Sequence, residues 1–334
     1  MRTITFIAFT TLCIPSINTT AQNIQHTLVD ATPLIVNPAF AGNTPGKLRV
    51  IANHRFESPN SYIPYNNSNI SVDAPLITLK NGNFIGYGFY INRYKMKNDF
   101  YSSSNMSTNA SISVHKIIKV DENNLLDIAG GITGGVASYY HDASFDYFTY
   151  KNNYLSPFNY LYAGTNYYNI DLGGSVSHSV GNKFNYIVSY SINNFNSESD
   201  ALLERQRISV GLDKRQLFSF GGNVYLNNRW QLRPCFIHIK QSTTTNYIAG
   251  NEFTYHLKNS KNQTSLFAGL WYRSGDMHSV TVGVNRTFWR AAIAVDYGIS
   301  NPKRVYYNDA LELSLSYAMA PSKNSRKQVV CNRF

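Results

Sequence analysis

Residues 290–300 read Arg290-Ala291-Ala292-Ile293-Ala294-Val295-Asp296-Tyr297-Gly298-Ile299-Ser300. The large apolar side chains Ile293, Val295, Tyr297 and Ile299 fall on every second position, with Ala292, Ala294, Asp296, Gly298 and Ser300 between them. Successive side chains of a strand point to opposite faces, so this stretch has one apolar face and one small, polar face. Residues 184–193 repeat the pattern: Phe184, Tyr186, Val188, Tyr190 and Ile192 oppose Asn185, Ser189, Ser191 and Asn193, and Ile187 alone breaks the rule. Comparable apolar faces occur at Ile85, Tyr87, Phe89 and Ile91, at Leu126, Ile128, Ile132 and Val136, at Ile170, Leu172 and Val176, at Val280, Val282 and Val284, and at Leu311, Leu313, Leu315 and Tyr317. Hardly any helical periodicity interrupts them.

Which face is inside decides the class. A soluble sandwich hides its apolar face and shows water a polar face rich in Lys and Glu, whereas a membrane barrel turns the apolar face to lipid and lines its lumen with small polar groups. Only 15% of the 334 residues are charged, against about 25% in an ordinary soluble domain, although the net charge is +11. The chain carries 25 Tyr, 19 Phe, 3 Trp and 39 Asn, a composition too rich in strand formers for disorder. After the first residues no run approaches the roughly 20 apolar positions of a spanning helix. Aromatic residues gather near strand ends, as at Tyr139-Tyr140, Tyr167-Tyr168, Trp230, Trp271-Tyr272, Phe288-Trp289 and Tyr306-Tyr307, where an interfacial girdle belongs. The pattern therefore favours an all-β, antiparallel transmembrane β-barrel over a sandwich.

Candidate strands fall at 47–57, 66–75, 83–93, 105–118, 124–137, 167–180, 183–193, 205–226, 229–240, 245–257, 263–273, 277–288, 290–300 and 308–319, about 14 in all. With both termini periplasmic, the inner connections 119–123, 181–182, 227–228, 258–262 and residue 289 are short. The outer ones include the longer 94–104, 138–166, 194–204 and 301–307. The stretch 205–226 is long for one strand, and the outer connections 241–244 and 274–276 are short.

Ahead of the barrel, residues 1–21 form a signal peptide: Arg2, an apolar run from Ile4 to Pro15, then small and polar residues to a cleavage site after Ala21. Thr10-Thr11-Leu12 before Cys13 does not make a lipoprotein box. Loss of the leader leaves a net charge of +10 and two cysteines, Cys235 and Cys331. An exported protein permits a disulfide between them, and two unrelated thiols fit equally well. The organisation expected is a signal peptide at 1–21, a periplasmic or lumen segment at 22–46, a barrel at 47–319 and a basic periplasmic tail at 320–334.

Chemistry is sparsely written. The histidines show no metal-ligand spacing and there is no CxxC pair, so neither a metal nor another cofactor is expected. Gly130-Gly131 and Gly134-Gly135 precede no helix and are read as points where bulky side chains would crowd a strand. No GxSxG nucleophile motif is present, and no catalytic residues are assigned. Loop and lumen placement explains the basic residues without nucleic acid.

Two segments stand outside the strand arithmetic. Residues 37–42 read Asn37-Pro38-Ala39-Phe40-Ala41-Gly42, and the chain ends Cys331-Asn332-Arg333-Phe334. Together they resemble the hallmarks of the PorP/SprF family of type IX secretion system membrane proteins, an N-terminal NPA-[YF]-AG and a C-terminal C-x-R-F. Leu270-Trp271-Tyr272-Arg273, Asp296-Tyr297 and Leu311-Glu312-Leu313-Ser314-Leu315 are similar to that family's last strands, and His54-Arg55-Phe56-Glu57 stands where it has Y-R-x-Q-W. The resemblance spans essentially the mature chain. It implies a non-enzymatic outer-membrane component of type IX secretion that supports export or surface anchoring of a specific large adhesin through the adhesin's C-terminal domain, with a link to gliding motility. A passive diffusion porin and a barrel hydrolase are the alternatives from other classes.

Asn37 before Pro38 is restricted to extended geometry, and Ala39, Ala41 and Gly42 allow close backbone approach, so an ordered turn packed at the periplasmic mouth or in the lumen is expected. The tail holds Lys323, Arg326, Lys327 and Arg333 with no acidic side chain and suits an acidic periplasmic partner among the other secretion components, a frayed terminus being the equal alternative. Segment 138–168 has 12 aromatics in 31 residues, which suits a protein contact surface and equally a loop folded into the lumen as a plug. The candidate partner-binding residues are thus Asn37, Pro38, Ala39, Phe40 and Gly42, then Tyr147, Phe148 and Tyr150 for the exported cargo, and Arg333 and Phe334 at the tail. Outer-membrane lipid is the remaining partner.

Overall fold

The computed structural model describes residues 26–44, 46–57, 64–79, 82–97, 101–121, 124–145, 159–181, 183–196, 213–242, 244–257, 264–274, 277–298 and 309–319. Within them lie fourteen strands: β1 Arg49–Glu57, β2 Tyr65–Thr78, β3 Phe84–Lys97, β4 Tyr101–Lys119, β5 Asn124–Phe145, β6 Asn159–Val180, β7 Phe184–Asn193, β8 Arg215–Tyr225, β9 Trp230–Gln241, β10 Thr244–His256, β11 Thr264–Arg273, β12 Met277–Arg286, β13 Trp289–Gly298 and β14 Ala310–Ala318. Each pairs antiparallel with its neighbours in sequence, and β1 closes on β14 from Arg49↔Ala318 to Glu57↔Ala310. Closure leaves no free edge, which a lipid-embedded sheet requires.

The faces fall as the alternation demands. On β13, Ala292, Ala294 and Asp296 are buried while Ile293 and Tyr297 are exposed; on β2, Asn69, Ser71 and Asp73 are buried while Ile70 is 60% exposed. The outward face is apolar and the inward face small and polar, the arrangement for lipid outside and a filled lumen inside. At the end where β1 begins and β14 stops, the terminal mouth, Trp230 packs on Tyr255 and Trp289 on Tyr317, with ring centroids 4.8 and 4.5 Å apart. These pairs form part of an aromatic girdle.

The strand count agrees with the sequence expectation, and several bounds move. Residues 138–145 and 159–166, read as parts of a loop, continue β5 and β6 as a hairpin paired from Asn124↔Val180 to Phe145↔Asn159. Each strand has 22 residues, about twice the roughly 9–11 that cross a bilayer, so the hairpin stands beyond the barrel rim at the opposite mouth. Segment 94–104 is likewise mostly strand, because β3 runs to Lys97 and β4 starts at Tyr101. Within 205–226 the strand is Arg215–Tyr225. The connections after β9 and β11 are short as expected, the first narrowing from 241–244 to the two residues between Gln241 and Thr244 and the second keeping the three between Arg273 and Met277. Trp271 is not a girdle residue: it faces the lumen, where its indole Nε1 donates to Thr281 Oγ1 at 3.1 Å.

Candidate functional site

Residues 26–44 fill the lumen. The segment comprises a 3-10 turn at Val29–Ala31, one helical turn at Pro33–Val36 and a second 3-10 turn at Pro38–Phe40. Asn37 has the extended backbone that a following proline imposes, φ −157° and ψ 125°. Its Oδ1 accepts from Ala39 N at 2.8 Å and caps the Pro38–Phe40 turn, and its Nδ2 donates to the carbonyls of Gly174 and Tyr190, each at 3.1 Å. One side chain thereby fixes the local turn and ties it to the wall at β6 and β7.

Glycines in the wall make room for it. A Cβ on Gly131 of β5 would lie 2.5 Å from the Pro38 carbonyl carbon, and one on Gly173 of β6 would lie 2.0 Å from Asn37 Oδ1. Gly130 and Gly134 face outward with nothing within 4 Å. Crowding therefore explains only the inward member of each glycine pair. Below the turn, Gly42 adopts φ +70° and donates its N–H to Asp73 Oδ2 at 2.9 Å. Arg49 holds the same carboxylate bidentately at 2.8 and 2.9 Å. Ser113 Oγ donates to the Ala41 carbonyl at 2.6 Å.

Phe40, completely buried, packs with Val29 and Val36 against Ile187, Leu217, Cys235, Ile237, Ile239, Ile248 and Trp271. The wall of β7 to β11 is apolar at this level, and Ile187, the exception to the alternation, belongs to it. Full burial of an aromatic side chain is worth up to about 3 kcal/mol relative to exposure, so Phe40 anchors the segment.

Toward the opposite mouth the contacts turn ionic. Thr27 Oγ1 donates to Asp296 at 2.8 Å and accepts from Arg273 at 2.7 Å and Arg55 at 3.2 Å, while Thr27 N donates to Glu312 Oε2 at 2.7 Å. Arg55 pairs with Asp296 at 2.7 Å and with Glu312 at 3.2 Å, and Asn53 and His26 complete the Glu312 shell at 2.7 and 3.2 Å. A second group, on the terminal-mouth side, joins Asp30 of the segment to Arg290 at 2.8 Å, and Glu252 to Arg290 and Arg233, each at 2.7 Å. Buried charges persist when paired and hydrogen-bonded, and here the pairing partly depends on residues 26–30.

One constellation has the order of an acyl-transfer triad. His115 lies between Asp127, 3.0 Å from Nδ1, and Ser113, 3.1 Å from Nε2. Ser113 gives its own hydrogen to the Ala41 carbonyl, so its hydroxyl accepts from His115, the reverse of the direction a nucleophile needs. All three side chains are buried under the segment, which makes the group a clamp on residue 41.

Of the residues proposed from sequence, Asn37, Pro38, Ala39, Phe40 and Gly42 come together in the lumen and meet the barrel's own wall. Tyr147, Phe148, Tyr150, Arg333 and Phe334 lie outside the described residues, as does Cys331, the potential partner of buried Cys235. The residues missed are those that grip the segment: Thr27, Asp30, Arg49, Asp73, Glu252 and Arg290. For all but Thr27 the signal in the sequence is charge in a chain otherwise poor in it. Arg55, Arg273, Asp296 and Glu312, noted only as parts of motifs, form one cluster in space. Among the described residues no group of three or more His, Cys, Asp or Glu could hold a metal ion.

In fold, the barrel is similar to the toluene transporter TbuX of Ralstonia pickettii, with TM-score 0.52 and 10% identity over 85% of this chain and 92% of that one. It is also similar to a Pseudomonas aeruginosa FadL homologue, with TM-score 0.49 and 10% identity over 91% of this chain and 98% of that one. No curated protein matches the chain. A family described as "Type IX secretion system membrane protein PorP/SprF" matches residues 18–317, nearly the whole sequence. This outer-membrane β-barrel belongs to the PorP/SprF family of type IX secretion system membrane proteins.

Proposed function

We propose that the protein acts in type IX secretion as a closed anchoring body, supporting export or surface attachment of a specific large adhesin through that adhesin's C-terminal domain, and serving gliding motility through it. The observation that carries this reading is the occupied lumen: residues 26–44 bridge the wall from Arg55 and Asp296 down to Asp73, which supports a barrel that presents surfaces over one that passes solutes. A diffusion porin needs an open polar channel, and a hydrolase needs an accessible nucleophile; the buried segment opposes both.

In this reading the leader 1–21 is removed, the terminal mouth faces the periplasm, and the β5–β6 hairpin stands outside the cell. Tyr147, Phe148 and Tyr150, between the ends of that hairpin, meet the cargo. The basic tail 320–334, with Arg333 and Phe334 at its end, meets other secretion components on the periplasmic side. Purifying the protein from cells under mild detergent and identifying the co-purifying chains tests this. A cell-surface adhesin and a periplasmic secretion component are expected. Recovery of the barrel alone, across detergents that preserve other envelope complexes, contradicts it.

A further inference from the structure

Closure protects a sheet only as far as each strand has a neighbour on both sides, and β6 outruns β7. With β5 it pairs along its whole length, up to Phe145↔Asn159, whereas with β7 it pairs only from Val180↔Phe184 to Leu172↔Ile192. Just beyond, the chain turns out of the sheet at Asn194, whose φ is 54°. Two contacts carry the ladder slightly further. Phe195 N donates to the Ile170 carbonyl at 2.7 Å, and the Asn196 side-chain amide takes the place of one more backbone unit, accepting from Ile170 N and donating to the Tyr168 carbonyl, each at 2.8 Å.

Ile170 and Tyr168 thus turn these backbone groups away from β5. Backbone direction alternates along a strand, so the N–H of Tyr168 and both polar groups of Asn166, Gly164, Tyr162 and Tyr160 point the same way. None of them meets another backbone group among the described residues. At roughly 3.3 Å per residue the open row is about 30 Å long. The sheet behind it is broad, because β4 pairs with β5 up to Tyr101↔Ala143 and β3 with β4 up to Lys97↔Ser102. Three or more strands give such a template independent stability.

Exposed edges are normally blunted by charged side chains, proline or a bulge. Residues 159–169 contain no charged residue and no proline, and their pairing with β5 runs without a register shift. An edge left unblunted beyond the rim is suited to being covered, and only another extended backbone matches a row of alternating N–H and C=O groups in full. A second copy is a poor occupant. Two barrels in one bilayer point the same way, so antiparallel pairing of two β6 edges would need one barrel inverted. A two-fold axis along the membrane normal would cross the two tilted strands instead of aligning them.

We infer that the β6 edge from Tyr160 to Tyr168 accepts one extended, uncharged strand of the exported partner by β-strand addition. This rests on the anchoring reading and gives that contact a backbone component.

The test uses the full mature chain in detergent and a fluorescein-labelled peptide of alternating Thr and Val ending in one Lys, alongside the same peptide methylated at every backbone nitrogen. Asn166→Pro deletes an N–H that faces the open edge and spares the bonds to β5, whereas Asn166→Ala keeps that N–H and changes only the side chain. By fluorescence anisotropy, wild type and Asn166→Ala should bind the plain peptide and not the methylated one. Asn166→Pro should weaken binding roughly tenfold or more, the loss of at least one hydrogen bond. Heat-modified migration on gels verifies that each variant is a folded barrel, and the methylated peptide keeps the test decisive should Asn166→Pro not fold. Cargo that co-purifies with wild type and Asn166→Ala should be lost from Asn166→Pro. Absence of peptide binding overturns the inference, as does equal binding of the methylated peptide or equal binding by folded Asn166→Pro. Binding that appears only when residues 197–212 are deleted assigns the edge to this chain itself and also overturns it. Cargo that stays with folded Asn166→Pro overturns the inference while the anchoring reading stands. A wild-type barrel that binds the peptide yet purifies alone contradicts the anchoring reading and, with it, the partner assigned here.

Discussion

Arg55 and Glu312 are register partners across the seam where β1 closes on β14, their side chains form a 3.2 Å ion pair, and both hold Thr27. The seam of the barrel and the attachment of the lumen segment are thus one cluster. Removing Glu312 leaves Arg55 and Arg273 sharing the one buried Asp296 carboxylate, and breaking a buried ionic group in this way costs up to about 3 to 5 kcal/mol. Glu312→Ala should accordingly lower the urea midpoint of the detergent-purified barrel and expose residues 26–44 to protease. Thr27→Val, which removes a hydroxyl that donates to Asp296 and accepts from Arg55 and Arg273, should cost about 1 to 3 kcal/mol and loosen the segment with the barrel intact. Wild-type midpoints and protease resistance in both variants would show that the cluster does not hold the segment.

The glycine pair on β5 offers an internal comparison. Gly131→Ala forces a methyl into the Pro38 carbonyl, whereas Gly130→Ala places it on the outer face with nothing within 4 Å. Limited proteolysis should cut residues 26–44 faster in the first variant and at the wild-type rate in the second. Equal rates would mean that the segment does not rest on β5.

Most of the barrel was legible because its two environments differ so sharply. Lipid demands large apolar side chains at every second position, and Ile293, Val295 and Tyr297 supply them. The lumen segment was harder to foresee. Phe40 and Asn37 announce an ordered turn but not what it packs against, and its apolar receptor is assembled from Ile187, Leu217, Ile237, Ile248 and Trp271, on five different strands. Locally, Ile187 reads as a mere irregularity. The ionic cluster joins Thr27, Arg55, Arg273, Asp296 and Glu312 over up to 285 positions of sequence, and only closure of the barrel brings them together. The ends of β5 and β6 are not legible because Tyr-rich, Asn-rich sequence suits both a loop and a polar hairpin beyond the membrane.

Contact hot spots between proteins are typically a few aromatics, each worth about 2 kcal/mol or more when truncated. Under the proposed anchoring function, changing Tyr147, Phe148 and Tyr150 together to Ser should release the cargo into the medium while barrel abundance in the membrane stays near wild type. Cargo that remains cell-bound removes this stretch from the binding surface.

Among the described residues the sheet closes between β1 and β14, which ends at Ala318. Deleting Val330 to Phe334 should leave a folded, heat-modifiable barrel and impair cargo secretion. Normal secretion would show that the CNRF ending has no essential partner, and failure to insert would give it a role in assembly.

Planar-bilayer recording addresses the central claim, that the lumen is filled by the chain's own N-terminal segment and the barrel presents surfaces instead of conducting. The mature protein should show no steady open conductance, and deletion of residues 26–44 should yield either a conducting barrel or one that no longer assembles. A stable, porin-like open channel in the wild-type protein would contradict the claim.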